Sequence, residues 1–411
     1  MNNMFNRFFV ILERAYTPAF NLCITIATAR LIGIDAVGDL AIVFISAILG
    51  QFLISRGTDQ NMQVVLASCE RNKIDKLAVD ETTRRFKRLV FSLVLLTFSL
   101  FLVIFFDTAE ILAVVTGVFS GSLSGVATPN ETRLVVTQRY RNIVIPKYIS
   151  GFLSFLLSFL LLFMLEDYFR YIPFVTVICE RMLYLFKILR NLKVENERLA
   201  NANFEKEKKI PAINIPVLIN TAAVFTYNRL DQIYIYAVLS REDLGVFFST
   251  LKLFEVVNLF VITAITSNLH IMANDKADLK SVKSIERKIL FAGLFLIALI
   301  AFLSPVVLKM LFKITVADPI YIYIISIGTV GAVVGTIKGP WVATNSRYRI
   351  NALFAIGGGV VALIYLTVGQ PQKLEAIALT MAISQLTVNV LLPILNREER
   401  SYLVSLVGFN K

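Results

Sequence analysis

Arg229 and Asp231 interrupt an otherwise apolar stretch, "FTYNRLDQIYIYAVL" (225–239). They are part of a set. Inside the predicted spans the cations read as Arg14, Arg181, Arg229 and Lys252, and the companion anions as Asp39, Glu180, Asp231 and Glu255. Charge in hydrocarbon is costly, so each such residue marks a pathway or a partner. Guanidinium has a planar fork that matches phosphate oxygens, so arginines in a polar-lined path suit an anionic cargo. A carboxylate or imidazole in that path can take up a proton or cation in one state of a cycle. Asp231, Glu255 and His270, the only histidine, have the chemistry for that.

Spacing groups these residues into stripes. At 3.6 residues per turn, Arg14, Thr17, Asn21, Thr25 and Thr28 share one helical face, and so do Lys252, Glu255, Thr263, Thr266 and His270. Residues 252 and 270 are separated by roughly 27 Å of helical rise, enough to run from one side of a bilayer to the other. Arg229 and Asp231, two apart, point to nearly opposite sides and cannot pair with each other. If the helices joined near Arg241 pack as a hairpin, Asp231 comes level with Lys252. The expectation is an Asp231–Lys252 pair that leaves Arg229 facing a cavity. Arg14, Arg229 and Lys252 against Asp231 and Glu255 then leave a cationic surplus. Neighbouring Glu180 and Arg181 are expected to pair with other helices.

The elements that position these residues are membrane helices. The chain has 411 residues, 56% of them hydrophobic, too little polar surface for a soluble globule. Runs able to cross about 30 Å of hydrocarbon fall near 9–31, 36–55, 89–106, 109–128, 143–165, 169–189, 212–239, 244–271, 289–312, 318–337, 350–369 and 374–395. The first contains Glu13, Arg14 and Pro18, no small-residue cleavage pattern follows it, and it reads as a retained span. The seventh is marginal alone. Ten Val, Leu, Ile and Phe residues between Val217 and Leu239 contribute about 3 to 6 kcal/mol, nearly cancelled by Arg229 and Asp231 at about 2.5 to 3.5 each.

Charge asymmetry sets orientation. Of 41 Lys and Arg residues, 31 lie in the termini and in loops 55–88, 129–147, 187–211, 272–288 and 338–349, and six on the opposite side. By the positive-inside rule both termini are cytoplasmic. The net charge of +12 is thereby topological. No soluble basic domain exists to bind nucleic acid, and contact of the basic loops with anionic membrane lipids is compatible with the same charge. The polar stretch 191–211 separates an N-lobe (1–190) from a C-lobe (212–411).

The halves rhyme. "LIGIDAVG" (31–38) follows the first span and "VLSREDLG" (238–245) the seventh, offset by 207 residues. A displacement of six spans preserves orientation, as in transporters with parallel repeats.

Other chemistries find little support. Cys23, Cys69 and Cys179 are far apart and form no disulfide framework or metal spacing. There is no Asp-x-Asp, nucleophile elbow or phosphate-binding loop. Loop 55–88 lacks the Gly-x-x-x-Asp-x-x-Gly-Arg element of the major facilitator family. A polymerase would carry a large outward loop. The glycines of 328–339 and 357–359 read as close helix packing or helix softening, not nucleotide contacts. A drug or small-solute antiporter and a membrane enzyme of polysaccharide assembly are the rival readings. The cationic surplus disfavours the antiporter.

Two segments resemble the multidrug/oligosaccharidyl-lipid/polysaccharide (MOP) exporter superfamily, in particular its O-antigen and polysaccharide repeat-unit flippases. They are "TARLIGIDAVGDLAIVFI" (28–45) and "NRLDQIYIYAVLSREDLGVFFSTLKLFEVV" (228–257), on which Arg30, Asp231, Gly245 and Lys252 match. The resemblance implies an all-α integral membrane fold, MOP/MATE-like, with about twelve helices in two six-helix lobes. It also implies a bacterial inner membrane and movement of an undecaprenyl-diphosphate-linked oligosaccharide from the cytoplasmic to the periplasmic leaflet. The polysaccharide polymerase and chain-length machinery are candidate partners. On this reading Arg14, Asn21, Arg30, Arg229 and Lys252 hold cargo, the threonine stripe contacts sugar, and H+ or Na+ is the candidate coupling ion. No cofactor, metal or catalytic residue is expected.

Overall fold

The computed structural model describes residues 2–55, 62, 66, 74, 77–90, 109–137, 139–164, 170–199, 215–272, 279–316, 318–345 and 347–408. They are helical almost throughout, with no strand among them. In chain order the long helices are α1 (Asn2–Leu31), α2 (Ile34–Ser55), α3 (Ala109–Val136), α4 (Arg141–Met164), α5 (Ile172–Leu199) and α6 (Ile215–Val238). There follow α7 (Arg241–Met272), α8 (Leu279–Phe312), α9 (Ile320–Thr344), α10 (Tyr348–Gly369) and α11 (Leu374–Leu386). The last continues through a π-turn, Thr387–Leu391, to Leu395, and the short α12 (Arg397–Val407) closes the order. Eight of these helices are long and apolar enough to cross a membrane by length and composition. The charge-bearing α1, α5 and α6 stand outside that set. Most of the span expected at 89–106 lies outside the described residues.

The chain separates into two compact units. Unit 1 comprises residues 1–16 and 39–218, and unit 2 comprises 17–38 and 219–411. Helix α1 thus changes unit between Tyr16 and Thr17, whereas the sequence boundaries placed all of 1–190 in one lobe. Pro18 sits at this crossing and has no N–H for the carbonyl four residues back, so the ladder is weakest there.

In unit 1 α2 and α3 approach until Gly50 and Gly121 meet the backbones of Val118 and Ala47, with no room for a Cβ. Leu123, Val126, Ile143, Tyr184 and Ile188, from α3, α4 and α5, form an apolar core. In unit 2 Gly331 and Gly335 of α9 lie against Gln385 and Asn389, and Gly358 of α10 against Val388. These are the close-packing glycines read from the sequence. Helix α12 is capped at both ends, by the Asn396 side chain accepting from the amides of Glu398 and Glu399 and by left-handed Gly408.

Candidate functional site

Unit 1 buries a cluster of charge built from four helices. Helix α1 supplies Glu13, Arg14 and Tyr16, α3 Glu131, α4 Lys147 and Tyr148, and α5 Glu180 and Arg181. Lys147 Nζ lies 3.3 Å from Glu13 Oε1 and 3.2 Å from Glu131 Oε1. Arg14 Nε is 3.3 Å from Glu13 Oε2, and Arg181 Nε is 3.0 Å from Glu180 Oε2. The Tyr16 hydroxyl donates to Glu180 Oε1 at 2.8 Å, and the rings of Tyr16 and Tyr148 stand 5.0 Å apart. Three cations face three carboxylates, so the cluster is electrically balanced. It can offer donors, acceptors and aromatic faces to a polar ligand at no net charge. Arg14 keeps 30% of its side chain exposed and Glu180 none, so the arginine is the accessible edge.

This corrects two expectations. Arg14 does not stand as a free cation, because Glu13, left out of the charge count, accompanies it. With Glu13 included the cationic surplus disappears. Arg181 pairs with its own neighbour Glu180, as Arg14 does with Glu13. Consecutive Cβ atoms diverge around a helix, but long side chains let their charged ends curl together where water is scarce. The expected partners from other helices are Tyr16 for Glu180 and, electrostatically, Glu131 for Arg181. Asp39 is held by Arg170, whose Nε donates to Asp39 Oδ2 at 2.7 Å.

Unit 2 holds the remaining sequence candidates, and it scatters them. Arg229, half-buried, donates to Gln232 Oε1 at 3.1 Å and has no ion-pair partner among the described residues. Asp231 is buried and accepts from the Gln232 amide at 2.8 Å. It does not pair with Lys252, which makes two 2.8 Å bonds to Glu255, one turn on in its own helix, and lies over the Phe248 ring. The local i,i+3 carboxylate holds the ammonium. Glu255 keeps 32% of its side chain exposed. Asn21 is half-buried, and its Oδ1, itself buried, accepts no hydrogen bond among the described residues. The hydroxyls of Thr25 and Thr28, by contrast, donate to the carbonyls of Asn21 and Ile24 and are buried, so that part of the stripe is occupied by its own helix.

Arg30 is a helix cap. Its guanidinium donates to the carbonyls of Met310 and Leu311 at the C-terminus of α8. The side chain of His270 lies outside the described residues.

Sequence reasoning missed Glu131 and Lys147, because both were assigned to a cytoplasmic loop. It also missed an amide chain in unit 2, in which Gln385 donates to Asn228, and Asn389 to Gln385 at 3.1 Å. The π-turn at Thr387–Leu391 coincides with this chain. The Asn228 and Gln385 oxygens are engaged within it, so it reads as interhelical polar packing. Among the described residues no group of three or more His, Cys, Asp and Glu could hold a metal ion.

No family model and no curated protein matches the chain. Solved structures do match. The chain superposes on the MATE multidrug transporter DinF-BH with a TM-score of 0.59 at 12% identity, over 100% of this chain and 96% of that one. An inward-facing multidrug resistance MATE family transporter of the MOP superfamily gives 0.54 at 13% identity, over 98% and 100%. The eukaryotic MATE transporter AtDTX14 gives 0.55 at 11% identity, over 98% of each chain. The fold is therefore all-α and membrane-spanning, that of MATE transporters.

Proposed function

We propose that this transporter fold moves an undecaprenyl-diphosphate-linked oligosaccharide from the cytoplasmic to the outer leaflet of a bacterial inner membrane. The observation that carries the reading is the unit 1 cluster. It places carboxylates, cations and tyrosine rings together inside a membrane-embedded unit, where each must be satisfied or used. Sugars present hydroxyls to such carboxylates and cations and apolar faces to such rings. The flippase-like segments 28–45 and 228–257 support the same cargo.

On this reading Arg14 and Lys147 exchange carboxylate partners for sugar or phosphate oxygens as cargo arrives. Asn21 contributes its unsatisfied amide oxygen. Arg229, in no close salt bridge among the described residues, is the phosphate ligand of unit 2. The lobes 1–190 and 212–411 alternate access. Asp231 or Glu255 binds H+ or Na+ in one state, since without a coupled gradient transport only equilibrates the leaflets. His270 is the third coupling candidate.

A second reading, a cation-coupled antiporter of drugs or small solutes, is favoured by the charge balance of the cluster and by solved neighbours described as multidrug transporters. Proteoliposomes separate the two. A fluorescent undecaprenyl-diphosphate oligosaccharide in one leaflet should become accessible to a membrane-impermeant quencher in the other, and Arg14→Ala should slow the exchange. Efflux of a cationic dye driven by a proton or sodium gradient, with no movement of the lipid-linked sugar, would establish the antiporter instead.

A further inference from the structure

The outer end of α1 is fastened within unit 2 by contacts that run in both directions. Arg30 Nε donates to Leu311 O at 3.0 Å and its second nitrogen to Met310 O, which covers the unpaired carbonyls at the C-terminus of α8. In return Lys313 Nζ reaches Arg30 O at 3.5 Å, in the last turn of α1. Each helix therefore has its C-terminal end covered by a cation from the end of the other.

Lys313 is held there at a cost. It occupies the left-handed region at φ 59°, just past the end of α8, while the Ile314 amide donates back to Leu308 O at 3.3 Å. This is the helix-ending geometry in which glycine is the unstrained residue. A lysine at such a position is explained by what its side chain reaches.

A backbone contact completes the attachment. Gly38 has no room for a Cβ against the carbonyl of Arg241, and Gly245 none against the carbonyl of Ile34. Adding the repeat offset of 207 to 38 and 34 gives 245 and 241, so one contact is the image of the other.

We infer that Arg30, Lys313 and the Gly38/Gly245 contact form a releasable clasp that docks segment 17–38 onto the rest of unit 2, and that its opening is a step of the transport cycle. Arg30 is thereby a positioning residue and not a cargo ligand. The contacts suit reversal. Cations on carbonyls at solvent-exposed helix ends hold weakly, and the glycine contact, set against the carbonyl oxygens of Arg241 and Ile34, can separate without leaving a charge unpaired. The role in the cycle rests on the transporter reading, whereas the clasp itself does not.

The test is a spin-label distance between Leu31→Cys and Ile320→Cys, both exposed positions, in a full-length protein lacking Cys23, Cys69 and Cys179. The parent should show one dominant distance. Arg30→Ala should raise a longer-distance population about two- to fivefold. Lys313→Gly is the decisive variant. It relieves the left-handed backbone, so thermal unfolding should hold or improve, yet the longer-distance population should still grow. A merely structural lysine would leave the distances unchanged. Gly245→Ala should give the largest shift, and if it fails to fold the other two variants decide.

Unchanged distances in folded Arg30→Ala and Lys313→Gly proteins would overturn the clasp. Changed distances with an unchanged transport rate in the proteoliposome assay would overturn its role in the cycle. If the parent protein moves no lipid-linked sugar, the cargo reading fails while the distances still decide the clasp.

Discussion

Lys147 is a single ammonium between two carboxylates, with 6% of its side chain exposed. Lys147→Met removes the charge that both Glu13 and Glu131 rely on. Breaking a buried pair from one side leaves uncompensated charge, so thermal unfolding in detergent should show a loss of about 3 to 5 kcal/mol. Adding Glu13→Gln should recover part of it. Arg229 predicts a milder pattern, since it is half-buried, its hydrogen-bond partner is an amide, and its charge acts on Asp231 from beyond salt-bridge distance. Arg229→Ala should leave unfolding within about 1 kcal/mol while slowing transport of a diphosphate-linked cargo about tenfold, the scale of one lost charge-assisted hydrogen bond. At this scale the sequence was half legible. It showed which residues are costly in a membrane, because that cost is local and additive. It did not show the pairs, because Glu13, Glu131 and Lys147 meet only once α1, α3 and α4 are packed, and no periodicity within one helix records that meeting.

Whole helices were more legible than pairs, because a long apolar run announces a span whatever surrounds it. The exceptions lie where charge near a helix end reads as loop. Lys338, assigned to an inward loop by its charge, is buried inside α9 with its Nζ 3.4 Å from Glu399 Oε2 of α12, and both side chains are at most 1% exposed. Tyr402 of α12 donates to Glu286 Oε1 at 3.1 Å and stacks on Trp341 at 4.9 Å. Burial, with the Glu286 carboxylate beside it, pushes that phenol well above its ordinary range, so it remains a donor at any physiological pH. These contacts make α12 an integral brace of α8 and α9. Glu399→Ala strands Lys338 and should cost about 3 to 5 kcal/mol, measurable as a fall in unfolding midpoint. Lys338→Met with Glu399→Leu should restore most of it.

For the molecule as a whole, the distribution of Lys and Arg makes a topological prediction. A single cysteine replacing exposed Glu242 should react with a membrane-impermeant maleimide in intact cells, and one replacing exposed Glu398 only after permeabilisation. The reverse pattern would invert the assigned orientation.

The glycine contact between the turns at 31–38 and 238–245 has one more consequence. A patch in which position 34 meets 245 and position 241 meets 38 is self-complementary, as an isologous dimer interface is. Two separate polypeptides, each half as long and each bearing this turn once, could dock face to face through it.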